Sequence, residues 1–205
     1  MYYLWPGGVT DLYDYYPKSF YGKIFVFFGR KDVGIVPKPD LALISKDLDD
    51  IFMNLGFHLF KGDCNNDGFM DLLIGSPFSK GSQGDQIGKV HILEGLNWSN
   101  LTTDFIEIRI EDVASFELKG ESNYQWFGYS VICTDNQVII GSPGARSNNS
   151  VQASGKVFGY NLIRNESNNM SLSWEIDCRD PQAKFGLSLA LNTNKNFFLK
   201  LIREP

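Results

Sequence analysis

Histidine and cysteine are scarce in this chain of 205 residues, which has two of the first and three of the second. A zinc centre needs three or four converging nitrogen, sulfur or carboxylate ligands, and no His/Cys grouping around His58 or His91 supplies them. Cys64, Cys133 and Cys178 follow no metal-cluster spacing, and an odd number leaves at least one unpaired within the chain. Buried small residues are therefore expected at these positions rather than a disulfide framework. Basic clusters are missing too, and the formal net charge is -5. That balance argues against nucleic acid or an anionic membrane as the main partner. No run of about eighteen apolar residues is present, so no transmembrane segment is expected. Met1 to Gly8 lack the basic region and long apolar core of a secretion signal. Helical periodicity is absent as well: Asp47 to Phe52 have room for a single turn, and elsewhere Gly or Pro interrupts.

What the chain does hold is aromatic and apolar. Hydrophobic residues make up 43%, with 16 Phe, 9 Tyr and 20 Gly. This supports a sizeable core built from many short strands joined by turns, hence an all-β fold. Asn97, Asn100, Asn148, Asn165 and Asn169 each open an Asn-X-Ser/Thr sequon in a polar connecting segment. Such placement suits a secreted glycoprotein, so an extracellular location is expected.

Internal repetition organises the chain. Gly22-Lys23-Ile24-Phe25-Val26 recurs as Gly88-Lys89-Val90-His91-Ile92 and as Gly155-Lys156-Val157-Phe158-Gly159, at separations of 66 and 67 residues. Ile74-Gly75-Ser76-Pro77 recurs as Ile140-Gly141-Ser142-Pro143. Leu55-Gly56-Phe57, Phe127-Gly128-Tyr129 and Phe185-Gly186-Leu187 open successive units. Four short strands repeated at this length make a β-propeller blade. The expected divisions are 1–21, the end of an interrupted preceding blade or an irregular aromatic loop, and 22–53, the closing strands of a partial blade. Residues 54–125 and 126–184 form two full blades, and 185–205 start a truncated one. Phe105 to Ile110 alternate most cleanly and are read as the fourth strand of their unit, with Ser173 to Asp177 in the equivalent place of the next. Since closed propellers typically need at least four blades, the chain is expected to be a fragment.

One loop carries chemistry. Asp63, Asn65, Asp67 and Asp71 occupy positions one, three, five and nine of a short turn, with Gly68 at the sixth. Three carboxylates so close repel unless a cation lies between them, and hard oxygens suit calcium better than reluctantly dehydrating magnesium. No EF-hand is implied, because Ile74 stands where a bidentate Glu is required. The alternative is an acidic β-turn in which Asn65 and Asp67 are local hydrogen-bond acceptors. His58 and His91 read as packing residues, and Trp126 reads as core beside Phe127.

The wording of Tyr21 to Gly29, Asn54-Leu55-Gly56, Asp63 to Asp71, Leu73 to Phe78, Trp126 to Ser130 and Lys156 to Tyr160 resembles the FG-GAP repeats of integrin α-chain propellers. It is closer to the C-terminal propeller of the glycosylphosphatidylinositol-specific phospholipase D family. The likeness runs from about Tyr21 to Leu189. It implies a parent enzyme that hydrolyses glycosylphosphatidylinositol anchors on proteins and releases phosphatidic acid, using zinc in an N-terminal catalytic domain. That domain and the remaining blades would be the partners of this chain, which holds no catalytic residue of the family. The family's calcium positions transfer to Asp63, Asn65, Asp67 and Asp71, with the backbone carbonyl of Phe69, giving one calcium site here. The alternative function is a calcium-stabilised adhesion or ligand-binding propeller of integrin type.

Overall fold

The computed structural model describes residues 2–7, 22–28, 34, 37–45, 53–81, 85–95, 105–134, 136–146, 153–162, 170–191 and 197–199. Strands dominate. β4 (His58–Gly62), β5 (Asp71–Ser76), β6 (Lys89–Leu93) and β8 (Phe116–Lys119) form one antiparallel sheet in the order β4-β5-β6-β8. β9 (Ser130–Thr134), β10 (Gln137–Ser142), β11 (Lys156–Asn161) and β12 (Ser171–Asp177) repeat that order in a second. A third sheet joins β1 (Tyr2–Gly7), β2 (Lys23–Phe28), β3 (Leu41–Ile44) and β7 (Ile106–Arg109), while β13 (Leu189–Leu191) pairs with β14 (Phe197–Leu199). The molecule is thus an all-β partial propeller in which the β4–β8 and β9–β12 sheets are four-stranded antiparallel blades and the third sheet carries one parallel pairing. Among the described residues no helix is long and apolar enough to cross a membrane.

Burial explains the strand sequences. β5 and β6 are buried at every position, because their sheet has a neighbour on each face. Alternate side chains then serve opposite cores. Leu73 joins Val90, Ile92, Phe127, Val131 and Ile140 on one side. Leu72 and Ile74 join Ile24, Leu41, Leu43 and Leu93 on the other. Ile139 in turn packs with Ile132, Val157 and Phe185. The outer strand β8 has water on one face and alternates half-buried with exposed.

The repeated glycines mark where one sheet touches the next. Gly88 has φ +84°, and a Cβ there would lie 2.1 Å from the carbonyl oxygen of Phe127. Gly128 has φ +87°, with Lys89 O 2.7 Å from its would-be Cβ. Both the backbone conformation and the close approach demand glycine. Gly22 against Leu55 and Gly155 against Phe185 repeat the first contact. The sequence markers are therefore a backbone-to-backbone seam.

Residues 105–110 do form a strand and a turn, but in an unexpected place. β7 pairs in parallel with β3 of the preceding sheet, Leu41 opposite Ile106 and Leu43 opposite Ile108. The fourth strand of its own sheet is β8 instead, paired with β6. Ile106 and Ile108 pack onto the Ile24–Leu43 core, and Ile110, at the start of the short helix α1 (Ile110–Val113), is fully buried there. That core still had apolar surface to cover, and its side chains could receive the isoleucine face. Of the aromatic N-terminal stretch, residues 2–7 pair with β2, while Tyr13, Tyr15 and Tyr16 lie outside the described residues. The single turn expected at Asp47–Phe52 lies outside them as well.

Candidate metal centre

The acidic loop joins β4 to β5 as a long hairpin connection. Asp63 closes it: Oδ1 accepts the amide of Asp67 at 3.1 Å and Oδ2 that of Gly68 at 3.1 Å. Asn65 Oδ1 accepts the Asp67 amide at 3.0 Å, and Asp67 Oδ1 accepts that of Phe69 at 2.8 Å. These are Asx-type turns, in which a short polar side chain replaces a backbone acceptor. Asn66 (φ 56°) and Gly68 (φ 86°) turn the chain in the left-handed region. A Cβ on Gly68 would meet nothing within 4 Å, so conformation rather than crowding selects glycine there.

Asp71 differs from the others in being fully buried. Its Oδ2 accepts the Cys64 amide and its Oδ1 the Gly95 amide, both at 2.8 Å. Burial pushes its carboxyl above the ordinary range. The two amides pull it back, and the charges of Asp67 and Glu94 push it up again. Glu94 is the functional candidate that motif reading missed. It follows Leu93, which pairs with Leu72, so continuing the β5–β6 register sets it beside Asp71. Asn65 Nδ2 donates to Asp67 Oδ2 at 2.9 Å and to Glu94 Oε1 at 3.4 Å.

The structure thus brings Asp63, Asn65, Asp67 and Asp71 into one loop, all hard-oxygen donors. Phe69, with its side chain 61% exposed, has only its backbone carbonyl to offer as an oxygen donor. Among the described residues, no three His, Cys, Asp or Glu side chains converge as a ready-made cage. Their oxygens face amide donors, as the acidic-turn reading also expects. Carboxylate oxygens carry more than one lone pair, so these amide bonds leave acceptor capacity for a cation.

Cysteine behaves differently from expectation. Cys64, inside the acidic loop, is disulfide-bonded to Cys133 on β9 of the next sheet, with Cα atoms 5.5 Å apart. Only Cys178 is free. The separation of 69 residues is close to the repeat length, so the two half-cystines fall at neighbouring positions on adjacent units. That was the available signal. Beside the disulfide, the Asn136 amide donates to Cys64 O at 2.8 Å, tying the loop to the β9–β10 turn.

The histidines take structural places. His58 Nδ1 accepts the Val131 amide at 3.3 Å across the seam, and burial lowers its pKa. His91 is buried with Nε2 3.1 Å from Glu117 Oε2. The bond to His91, aided by Lys119 and opposed by burial, holds Glu117 down to about 2. This pair lines a cleft of about 590 Å³ with Lys89, Glu111, Ser115 and Lys119. Trp126 is not core as expected. With φ at 55° it is half-buried outside the buried clusters, against Phe78 and Tyr129, while Phe127 fills the interior. Asn97, Asn100, Asn148, Asn165 and Asn169 all lie outside the described residues.

Comparison with known proteins agrees with this architecture. The FG-GAP repeat family matches residues 56–93, the segment running from the opening glycine through β6. The chain is 33% identical to human phosphatidylinositol-glycan-specific phospholipase D over 129 residues, 61% of this chain and 14% of that protein. With the mouse protein of that name it shares 29% identity over 164 residues, 73% of this chain and 19% of the relative. The Dictyostelium discoideum protein is 30% identical over 157 residues, covering 72% and 16%. The chain spans less than a fifth of the length of these curated relatives. Recurring four-stranded sheets and the shared glycine seam thus accompany one FG-GAP repeat at residues 56–93, in a chain similar to one part of phosphatidylinositol-glycan-specific phospholipase D.

Proposed function

We propose that this chain is the non-catalytic propeller portion of a secreted phospholipase D that hydrolyses glycosylphosphatidylinositol anchors and releases phosphatidic acid. Its zinc-dependent catalytic domain lies outside these residues. The observation that carries this reading is the similarity, over most of the chain, to relatives named for that lipid. A disulfide between adjacent sheets supports an oxidising, extracellular setting, where such bonds persist. The test is a chimera in which this chain replaces the matching segment of the human relative. Release of an anchored reporter from vesicles is expected from the folded chimera and not from this chain alone. Release by this chain alone, or none from a folded, zinc-loaded chimera, overturns the reading.

The acidic loop binds one calcium ion through Asp63, Asn65, Asp67, Asp71 and the carbonyl of Phe69. Support comes from a donor set of oxygens only, and from Asp71 buried beside the charges of Asp67 and Glu94, which a divalent cation neutralises. Calcium at a hundredfold excess over its Kd should raise stability by about 2.7 kcal/mol. Asp67→Ala should remove that gain while leaving the calcium-free melting point within a few degrees. A calcium-independent melting point in the unmodified chain would rule the site out.

A further inference from the structure

The acidic loop and the Phe57 turn lie at opposite ends of β4, which runs from His58 to Gly62. Phe78 follows β5 and Tyr129 precedes β9, so both sit at the Phe57 end. Their rings meet there. Phe57 lies 4.7 Å from Tyr129 and 5.5 Å from Phe78, and Trp126 lies 6.0 Å from Phe78 and 6.4 Å from Tyr129, between centroids. Phe57 is 41% exposed, Tyr124 beside them 54%, and the other three half-buried. None of these rings belongs to the three buried cores.

The turn that presents them is held in a costly conformation. Tyr124 (φ 56°) and Trp126 (φ 55°) are large side chains in the left-handed region, a state that persists only when surroundings impose it. Here they do. Gln125, buried between them, accepts the amides of Glu121 and Ser122 at 2.9 and 3.0 Å, and its carbonyl accepts Ser142 Oγ at 2.8 Å. Trp126 Nε1 donates to Gln86 Oε1 at 2.9 Å, fixing the indole. A strained, tightly hydrogen-bonded turn that leaves Phe57 and Tyr124 exposed beside three half-buried rings is preorganised for a ligand.

We propose that Phe57, Phe78, Trp126 and Tyr129 form a carbohydrate-binding platform that engages the glycan of the anchor. This rests on the function proposed above, which supplies the glycan. Chemistry favours a sugar over the other occupants. Pyranose rings offer apolar C–H faces to aromatic rings and hydroxyls to polar neighbours, and Gln86, bonded to Trp126, supplies one such neighbour, with the exposed Ser122 and Asn123 on the same turn. Four rings fall far short of the roughly 20 to 30 residues a side of a stable protein interface. Around the turn Asp85 and Glu121 stand with Lys80 and Arg146, so the described residues offer no net positive charge to an anionic lipid surface.

The test uses the 205-residue chain with free mannotriose and chitotriose, and no lipid or catalytic domain. Tryptophan fluorescence and saturation-transfer NMR should show binding of at least one sugar, with Kd on the order of 1 mM. Trp126→Phe should abolish the fluorescence change, and Tyr129→Leu should weaken binding at least fivefold. Phe57→Ser, at the most exposed ring of the four, covers the case in which those variants fail to fold. No binding of either sugar at 20-fold that concentration, or binding unaffected by folded variants, overturns the platform. So does preferential binding to phosphatidylserine vesicles or to a protein through this patch. Because no anchor cleavage is read, a negative result here combined with an active chimera sinks the platform alone.

Discussion

The β4–β8 sheet and the β9–β12 sheet share strand order, glycine contacts and the Gly-Ser-Pro turn, yet their connections diverge. The first joins its first two strands by the acidic loop, whereas in the second β9 ends at Thr134 and β10 begins at Gln137. The first sends β7 and α1 out to cover its neighbour before returning as β8, whose exposed Glu117 bonds the buried His91 of β6. In the second, the outer edge carries a Lys156–Glu175 bond of 3.1 Å. The difference teaches that sheet-to-sheet contact fixes β4–β6 and β9–β11, whereas the links are free to acquire ligands or reach sideways. One bond, Cys64–Cys133, crosses from the variable loop of one sheet to the constant strand of the other.

Breaking that bond is the largest perturbation. Closure of a loop of this length is worth about 4 kcal/mol by chain entropy. Cys133→Ser should lose about that much in chemical denaturation, and the two sheets should then unfold in separable transitions. A single transition with unchanged midpoint would show that the glycine seam alone couples them.

Ile110→Ala asks whether the reach of β7 matters. Truncating a fully buried isoleucine costs roughly 3 kcal/mol. Hydrogen exchange should quicken at β3 and β7 and stay slow in β9–β12. Uniform acceleration would mean that the β7 excursion supports the whole molecule. The smallest effect is on acidity. Glu117 is held at about 2 against an ordinary 4.5, so its contribution is complete above 4.5 and fades as pH falls towards 2. Glu117→Gln should flatten that part of the stability profile. A profile unchanged by the substitution would assign the acid sensitivity elsewhere.

Much of this fold was legible because the repeated glycines are backbone contacts, which no other residue can make. The acidic spacing was legible for a similar reason: Asx turns need oxygens at fixed positions. Alternation at Ile106, Ile108 and Ile110 told which face was apolar, but periodicity carries no information about which sheet receives it. Glu94 belongs to no local motif and becomes visible only with the β5–β6 register. The Cys64–Cys133 pairing was obscured by reading an odd count as evidence against any bond. Trp126 was misplaced because its neighbour Phe127 is core, and a left-handed residue breaks the inference from one neighbour to the next.

The disulfide also has a mechanical meaning. Tension applied through the ends of this chain runs through Cys64 and across to Cys133, bypassing everything between them. The enclosed 69-residue span would otherwise release roughly 230 Å of slack when extended. Under load it stays stowed, and so does β8 with the turn that carries Trp126. The acidic loop, holding one anchor of that bond, lies directly in the path of the force.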